Sequence, residues 1–454
     1  MIDRHAAEND ALELLDILLN KAIQQGADTA DAVLVESRSL GASYRQGKPE
    51  DVERSESVDV GLRVMRGQKQ AIVSTTDIHP AMLDELAQRA NDMARHAPDD
   101  PYYGLADAGL YVTDVPDLDL FDDTVPTTEQ LIERAQEAEE AALELDQIKQ
   151  SEGGGAGYAM STIALGIRGP GVKFGAAYST SSHSISCSVI AAGNEGMERD
   201  YDSSSKRHFA DLDAPARVGR SAGERAVKRL GPRKMESGKF SVIYDRRVSG
   251  GLVGHVAQAI NGAAVARGTT FLKDSLGKNI LRSGVSIMDD PHIQRGQRSR
   301  PVDGEGLRTE KLALVDDGQL QSWILDSATA RQLGMKSTAQ AARGVGSPPS
   351  PGPSNLYMTA GTHSLADLIA DIEEGFYVTE LFGFGINYLT GDYSRGASGF
   401  WIENGEIAFP VSEMTVAGNL PEMFMEMTPA DDLEFRYATN APTIRIDGMT
   451  VAGA

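Results

Sequence analysis

The chain has 454 residues, which is too long for one ordinary hydrophobic core and predicts two large domains. Hydrophobic residues make up 41% of it and charged residues 24%, the balance of a globular protein, so wholesale disorder is excluded. Lys and Arg number 43 against 66 Asp and Glu, and the resulting net charge of −23 repels phosphate backbones, so we expect no direct nucleic-acid binding.

Cysteine usage and apolar patterning indicate the cellular compartment. Cys187 is the single cysteine, so it can form neither an intramolecular disulfide nor a Cys-x-x-Cys site, as expected in a reducing cytoplasm. The first residues lack the basic start and apolar run of an export signal. Nowhere do about 18 apolar residues run together, as a membrane-spanning helix would need. We therefore predict a cytoplasmic chain without membrane contact.

The first half of the chain alternates between helical and strand patterns. Apolar residues at helical spacing predict a first helix that Gly26 ends, and the alternation of apolar and polar residues at 58–64 predicts a half-buried strand. Pro80 begins a second helix, and Thr127 begins a capping box ahead of a third. Residues 215–230 form a basic helical pattern. Together these patterns predict helices packed on an antiparallel sheet.

The second half is richer in glycine, and short strand patterns recur there between turn dipeptides. We place a domain boundary between two α+β domains. Residues 1–230 are predicted to have helices packed on antiparallel sheet, and residues 239–454 to have a strand-rich curved sheet that is barrel-like. The Pro- and Gly-rich residues 344–354 are predicted to form an exposed loop, with a position over a cleft as one option.

Common nucleophile and nucleotide motifs are absent or lie in the wrong context. The Gly-Lys pairs are not followed by the Ser or Thr that a phosphate loop requires. Residues 219–223 match the Gly-x-Ser-x-Gly nucleophile elbow around Ser221, yet they lie within a charged helical pattern and not after an apolar strand. A chance match is the favoured interpretation, and an independent hydrolase that uses Ser221 is the remaining catalytic alternative.

The eight histidines include no pair one helical turn apart with a glutamate between them, the usual arrangement of a peptidase zinc site. Residues 289–292, Asp-Asp-Pro-His, bring two carboxylates and an imidazole together. A turn before proline explains that cluster without a metal. From its own residues, we predict no metal site and no catalytic residue in this chain.

A long glycine-rich run, TGDYSRGASGFWIENGE, occupies residues 390–406. Shorter runs accompany it, including GLRV at 61–64, DSLGK at 274–278, MDDPH at 288–292 and PVSE at 410–413. Together these runs resemble the PmbA, or TldE, branch of the TldD/PmbA family, whose members were once called modulators of DNA gyrase. The resemblance covers nearly the whole chain, and the long run is its most specific part.

The resemblance implies that a TldD-type and a PmbA-type subunit pair to form a zinc peptidase. Such an enzyme degrades unfolded or extended peptides and is linked to microcin maturation and antitoxin turnover. The TldD-type chain carries His-Glu-x-x-x-His, and alignment of the two branches puts Val253, Gly254 and Gln258 at those three positions. Valine offers no lone pair, glycine no base, and an amide is a poor zinc ligand. The cysteine ligand near the TldD-type C-terminus has no counterpart here either, because Cys187 lies far upstream.

The resemblance therefore implies a subunit without a metal or cofactor of its own, with zinc in a TldD-like partner. The candidate contacts to a peptide or to the partner are His255, Asp392, Tyr393, Arg395, Glu403 and Glu413. For His255 the alternative interpretation is a packed core histidine, and for the other five it is a salt-bridged turn between strands. The alternative function is a stand-alone homodimer that binds peptides without cleaving them.

Overall fold

The computed structural model describes residues 4–194 and 196–453. The described helices are α1 (Arg4–Gln24), α2 (Pro80–His96), α3 (Thr128–Leu143), α4 (Pro215–Lys228), α5 (Arg246–Ala259), α6 (Gly262–Ala266), α7 (Ser327–Gln332), α8 (Leu365–Ile369) and α9 (Leu420–Glu426). The strands of the first half are β1 (Thr29–Arg45), β2 (Lys48–Arg66), β3 (Lys69–Thr75), β4 (Ile148–Gly169), β5 (Val172–Gly193) and β6 (Gly196–Lys206). Those of the second half are β7 (Gly238–Tyr244), β8 (Ile287–Asp290), β9 (Leu312–Asp316), β10 (Gln319–Leu320), β11 (Ala341–Ala342), β12 (Ser350–Pro351), β13 (Asn355–Met358), β14 (Glu374–Ile386), β15 (Asp392–Glu403), β16 (Glu406–Asn419), β17 (Thr428–Pro429), β18 (Thr439–Asn440) and β19 (Ile444–Ala452).

The first half forms one antiparallel sheet in the order β3-β2-β1-β4-β5-β6, which curls into a half-barrel. Its helices cover one face. On β1 the even-numbered residues point to that face: Ala32 and Leu34 pack with α1 and α2, whereas Ala42 and Tyr44 pack with α3 and α4. The predicted capping box at Thr127 is confirmed, since its side chain accepts a hydrogen bond from the amide of Gln130.

The second half is built around a closed barrel. The barrel has five strands, which lie side by side in the order β16-β15-β14-β7-β19. Because β16 also pairs with β19, the five strands close on themselves. Only β7 and β14 run parallel in this set, because α5 and the intervening segments separate them in the chain. A second, five-stranded sheet has the order β10-β9-β8-β13-β18. The α+β fold class, with helices on antiparallel sheet and a curved C-terminal sheet, is confirmed. The boundary between residues 230 and 239 stays a prediction.

Segments of the second half cover the opposite, concave face of the first sheet. There the odd-numbered residues of β1 project, and Asp31 forms a buried ion pair with Arg63 of β2 and another with Arg343, which follows β11. The Pro- and Gly-rich residues 344–354 follow directly. They include the short strand β12, which pairs with β11. Burial alone would raise the pKa of Asp31, but Arg343 and Arg63 outweigh it and hold that pKa below its usual value.

Residues 344–354 pack on the sheet at a position that only glycine allows. The backbone oxygen of Val345 would lie 1.9 Å from a Cβ atom added at Gly61 of β2. Because Gly61 lies opposite Val33 in the β1–β2 ladder, a side chain there would lift the covering segment from the centre of the concave face. The loop expected from the sequence is therefore part of the contact between the two halves.

Gly61→Ala is expected to lower the free energy of unfolding by about 2–3 kcal/mol, because its methyl group cannot be accommodated without moving the Val345 backbone. Urea denaturation measures this loss. Gly41→Ala on β1 is the matched control, since no atom lies within 4 Å of a Cβ added there. Equal stability of the two variants would contradict the assigned packing.

Asp31→Asn is expected to lower the free energy of unfolding by about 3–5 kcal/mol, because two buried guanidinium groups lose their shared counter-charge. Denaturation at neutral pH measures this loss in the free energy of unfolding. The comparison is Arg54→Met, which breaks the exposed Arg54–Glu56 pair and should have little effect. A neutral effect of Asp31→Asn would show that the buried pairs do not hold the covering segment.

Candidate functional site

Helix α5 carries the three positions that the resemblance equates with a zinc motif. The helix begins after Asp245, whose carboxylate accepts a hydrogen bond of 2.8 Å from the amide of Arg247. Val253 is fully buried in the core of the second half. Gly254 is half-buried and Gln258 is exposed. The apolar side of α5 therefore packs into the core, and the three positions do not meet around one point.

His255 lies on the next face of α5 and is held by residues of the β14–β15 hairpin. Its Nδ1 atom and the hydroxyl of Tyr388 share a hydrogen bond of 2.8 Å. Its ring meets the ring of Tyr393 edge-on, with centroids 5.8 Å apart. Burial, and then the nearby charge of Arg395, lower the pKa of His255 to about 4. The imidazole is therefore neutral at physiological pH, as expected for a packed histidine that retains one specific partner.

The structure brings three of the six candidate contact residues together. His255, Tyr393 and Arg395 form the cluster just described, whereas Asp392, which begins the same strand, accepts a hydrogen bond of 2.6 Å from the hydroxyl of Thr390. Tyr393 is buried, whereas Asp392 is exposed. The functional roles of these residues stay predictions.

The other two candidates lie elsewhere on the barrel. Glu403 is exposed at the far end of β15, eleven residues from Asp392, or about 36 Å along a strand that rises 3.3 Å per residue. Glu413 lies at a β-bulge within β16, has a φ of 56° and forms an ion pair of 2.6 Å with Lys234. Neither glutamate joins the His255 cluster, and the roles of both stay predictions.

Tyr388 is the residue of this cluster that sequence reasoning missed. It is separated from His255 by 133 positions, and nothing in the local pattern around either residue indicates that they meet. Barrel closure, which brings the β14–β15 hairpin back over α5, creates the contact. Only knowledge of the pairing of β7 with β14 would have placed Tyr388 there.

The structure explains two sequence motifs that were set aside. Both glycines around Ser221 serve helix packing: a Cβ at Gly219 would lie 1.8 Å from the backbone oxygen of Ala138, and one at Gly223 would lie 2.6 Å from Leu145. The glycines that match a nucleophile elbow therefore allow α4 to cross α3 closely. In the Asp-Asp-Pro-His segment, the carboxylate of Asp290 accepts a hydrogen bond of 3.0 Å from the amide of His292, as in the predicted turn.

Within residues 4–194 and 196–453, no group of three or more His, Cys, Asp or Glu side chains is arranged to hold a metal ion. Zinc in a partner subunit stays a prediction. Among the same residues, no helix combines the length and the apolar composition that crossing a bilayer requires.

Comparison with protein families gives three matches along the chain. Residues 30–94 match domain 1 of the PmbA/TldA metallopeptidases, residues 121–230 match the central domain, and residues 237–453 match the C-terminal domain. The fold and these matches define the chain as a protein of metallopeptidase type.

Individual relatives agree with the family matches. The chain is 38% identical to the metalloprotease PmbA of Escherichia coli O157:H7, over 94% of this chain and 93% of that protein. It is 34% identical to the metalloprotease PmbA homolog of Haemophilus influenzae, over 99% and 97% of the two chains. A solved structure from Bacteroides thetaiotaomicron, described as a modulator of DNA gyrase, superposes with a TM-score of 0.87 at 26% identity, over 97% and 98% of the two chains. The chain belongs to the PmbA/TldD metallopeptidase family.

The pKa of about 4 for His255 predicts a specific pH dependence of stability. Between an ordinary pKa of 6.5 and about 4, the unfolded chain binds a proton that the folded chain does not, so the free energy of unfolding falls as pH falls through this window. His255→Gln should make this fall shallower. Denaturation between pH 4 and 7 measures the slope of the free energy of unfolding against pH. The variant His79→Gln, which removes an exposed histidine, is the control for the loss of one histidine. Equal slopes in the two variants would refute the assignment.

Proposed function

We propose that this chain is the metal-free subunit of a heteromeric zinc peptidase that degrades unfolded or extended peptides. Its partner is a TldD-like subunit that carries the zinc ion and the catalytic glutamate. This chain supplies walls of the shared chamber and contacts to the peptide or to the partner, and it does not itself cleave the peptide bond. The family and its metallopeptidase character are the basis, and the assignment of roles to the two subunits is the proposal.

The donor set on α5 is the observation that carries the proposal. Val253 contributes a buried aliphatic side chain, Gly254 contributes none, and Gln258 presents a neutral amide to solvent. These groups do not fit zinc, which binds imidazole, thiolate or carboxylate in tetrahedral sites. His255 is committed to Tyr388 and lies two residues beyond Val253, about 200° around the helix axis at 3.6 residues per turn. It therefore does not replace the first ligand.

An exposed apolar hairpin tip supports a protein partner. The tip comprises residues 382–391, that is, the end of β14 and the turn that leads to β15. In it, Phe384 is 96% exposed and Leu389 is 61% exposed. Exposed apolar residues grouped in this way are typical of protein interaction sites. Because Tyr388 of the same tip bonds His255, the tip lies beside α5. A zinc-bearing subunit docked there would contact α5. The helix that corresponds to α5 in that subunit carries its zinc motif.

One open strand edge supports binding of extended peptides. β3 forms one end of the first sheet in its described part and has an unpaired side. At the other end, the backbone oxygens of Tyr201, Ser203 and Ser205 on β6 already accept side-chain hydrogen bonds. An extended peptide can add to such an edge through main-chain hydrogen bonds, which makes binding largely independent of sequence. This mode suits a peptidase that acts on unfolded chains.

The test compares three samples: this chain, its TldD-like partner, and the two mixed. We expect cleavage of an unfolded peptide only where the partner is present, with one zinc ion per pair by elemental analysis. Stoichiometric zinc bound by this chain alone, or peptide cleavage by it alone, would overturn the proposal. Peptide binding by a homodimer of this chain that shows no affinity for the partner would favour the alternative function and overturn it as well.

A variant of the same experiment examines the hairpin tip. Phe384→Ser should weaken association with the partner about tenfold or more, because it removes a large aromatic group from the interface. Ile17→Ser removes an exposed apolar side chain from α1, far from the tip, and serves as the matched control. Equal partner affinity of the two variants would show that the partner docks elsewhere.

A further inference from the structure

A cavity of about 430 Å³ lies between the concave face of the first sheet and the segments of the second half that cover it. Tyr178 and Thr180 of β5 line its floor, and Arg207, Arg298 and Arg300 line its sides. A smaller cavity of about 220 Å³ adjoins it, shares Tyr178 and Arg300, and ends at Arg343. The volume of the larger cavity is within the range of small-molecule sites. In a chain with a net charge of −23, this lining is unusually basic.

Neutral backbone groups hold two of these arginines in place. Arg207 donates hydrogen bonds to the backbone oxygens of Gly296 and Gln297, at 3.3 and 2.6 Å. Arg300 donates to the backbone oxygens of Ala341 and Gly352, at 2.9 and 2.7 Å. Carbonyl groups fix the orientation of a guanidinium group without cancelling its charge. The guanidinium groups on the cavity wall are therefore oriented by neutral partners and not by direct bonds to carboxylates.

The nearby carboxylates are occupied by other donors. Asp289 accepts hydrogen bonds from Ser354 and from the side chain of Gln340. Asp303 accepts from three backbone amides, among them that of Leu307 at 2.8 Å. Within the described ranges, no carboxylate oxygen lies within 4.0 Å of a guanidinium nitrogen of Arg207, Arg298 or Arg300. Arg207 and Arg298 thus have no carboxylate partner in these ranges, whereas Arg300 lies near enough to Asp289 and Asp303 for its charge to oppose the rise in their pKa values that burial causes.

Buried donors of two arginines that line these cavities have no acceptor among the described residues. The Nε atom of Arg300 is buried and makes no hydrogen bond to any described group, and the same holds for Nε and Nη2 of Arg343. The side chain of Arg343 is 3% exposed. Burial lowers the pKa of Arg207, with no carboxylate to oppose it. Unpaired buried donors of this kind are rare in folded proteins and call for an acceptor.

We propose that this cavity binds a compact oxyanion, the phosphate or carboxylate group of a small ligand. The three guanidinium groups provide charge and directed N–H donors, and the hydroxyl groups of Tyr178 and Thr180 complete a polar floor. A ligand held there bridges the halves of the molecule, because Tyr178 and Arg207 belong to the first sheet and Arg298 and Arg300 to the covering segments. Binding therefore stabilises the contact between the halves.

The test uses inorganic phosphate and acetate as probes, with calorimetric titration and the melting temperature as readouts on the full chain. Saturable binding with a rise in melting temperature is expected for at least one probe. Tighter phosphate binding assigns the site to a phosphate group, and tighter acetate binding assigns it to a carboxylate. Absence of saturable binding by both probes would overturn the proposal.

Two variants locate the binding. Arg298→Glu reverses an exposed charge at the cavity mouth without removing a backbone contact and should weaken affinity for the tighter probe about tenfold or more. Arg308→Glu makes the same charge change at an exposed position outside this cavity and should leave affinity close to that of the unchanged protein. Equal affinities of the two variants would overturn the proposal. Circular dichroism of both variants confirms that each is folded.

Discussion

The buried ion pairs of Asp31 are the interaction on which the arrangement of the two halves depends. Asp31 and Arg63 face each other across β1 and β2, so the first sheet alone would leave a guanidinium–carboxylate pair on an open face. Arg343 adds a second cation and brings residues 344–354 onto the sheet, where Gly61 leaves room for them. Loss of Asp31 would leave two buried guanidinium groups without their shared counter-charge, so this contact disfavours any docking geometry that separates the three residues.

Periodicity in the sequence was sufficient for the helices of the first half but for only part of its strands. The alternation at residues 58–64 lies within the longer strand β2, and no pattern predicted β6. Thr127 and Pro80 marked helix starts that the structure confirms, because these signals act within a few residues. Two contacts could not be predicted from the sequence, the pairing of β16 with β19 that closes the barrel and the Asp31–Arg343 ion pair. Both join segments that lie far apart in the chain. The same limit applied to the site: His255 could be singled out on α5, but its partner Tyr388 could not.

The two candidate regions use opposite kinds of surface. The tip at residues 382–391 is apolar and exposed, which suits a large partner that excludes water from Phe384. The cavity around Arg300 is a basic cleft of about 430 Å³, which suits a small ligand. They lie on different parts of the molecule, one beside α5 and the other between the halves. A single chain can therefore contact a protein partner and hold an anion without competition between them.

The pairing of β7 has a consequence for how the chain folds as it is synthesised. β7 lies between β14 and β19 in the barrel, and these strands begin only at Glu374 and Ile444. Until they emerge from the ribosome, both edges of β7 carry unpaired backbone groups, which are liable to pair with other chains. In the first sheet every pairing except that of β1 with β4 joins consecutive strands, and all its strands are synthesised before β7, so it can form earlier. The second half thus spends longer in a state that a molecular chaperone would recognise.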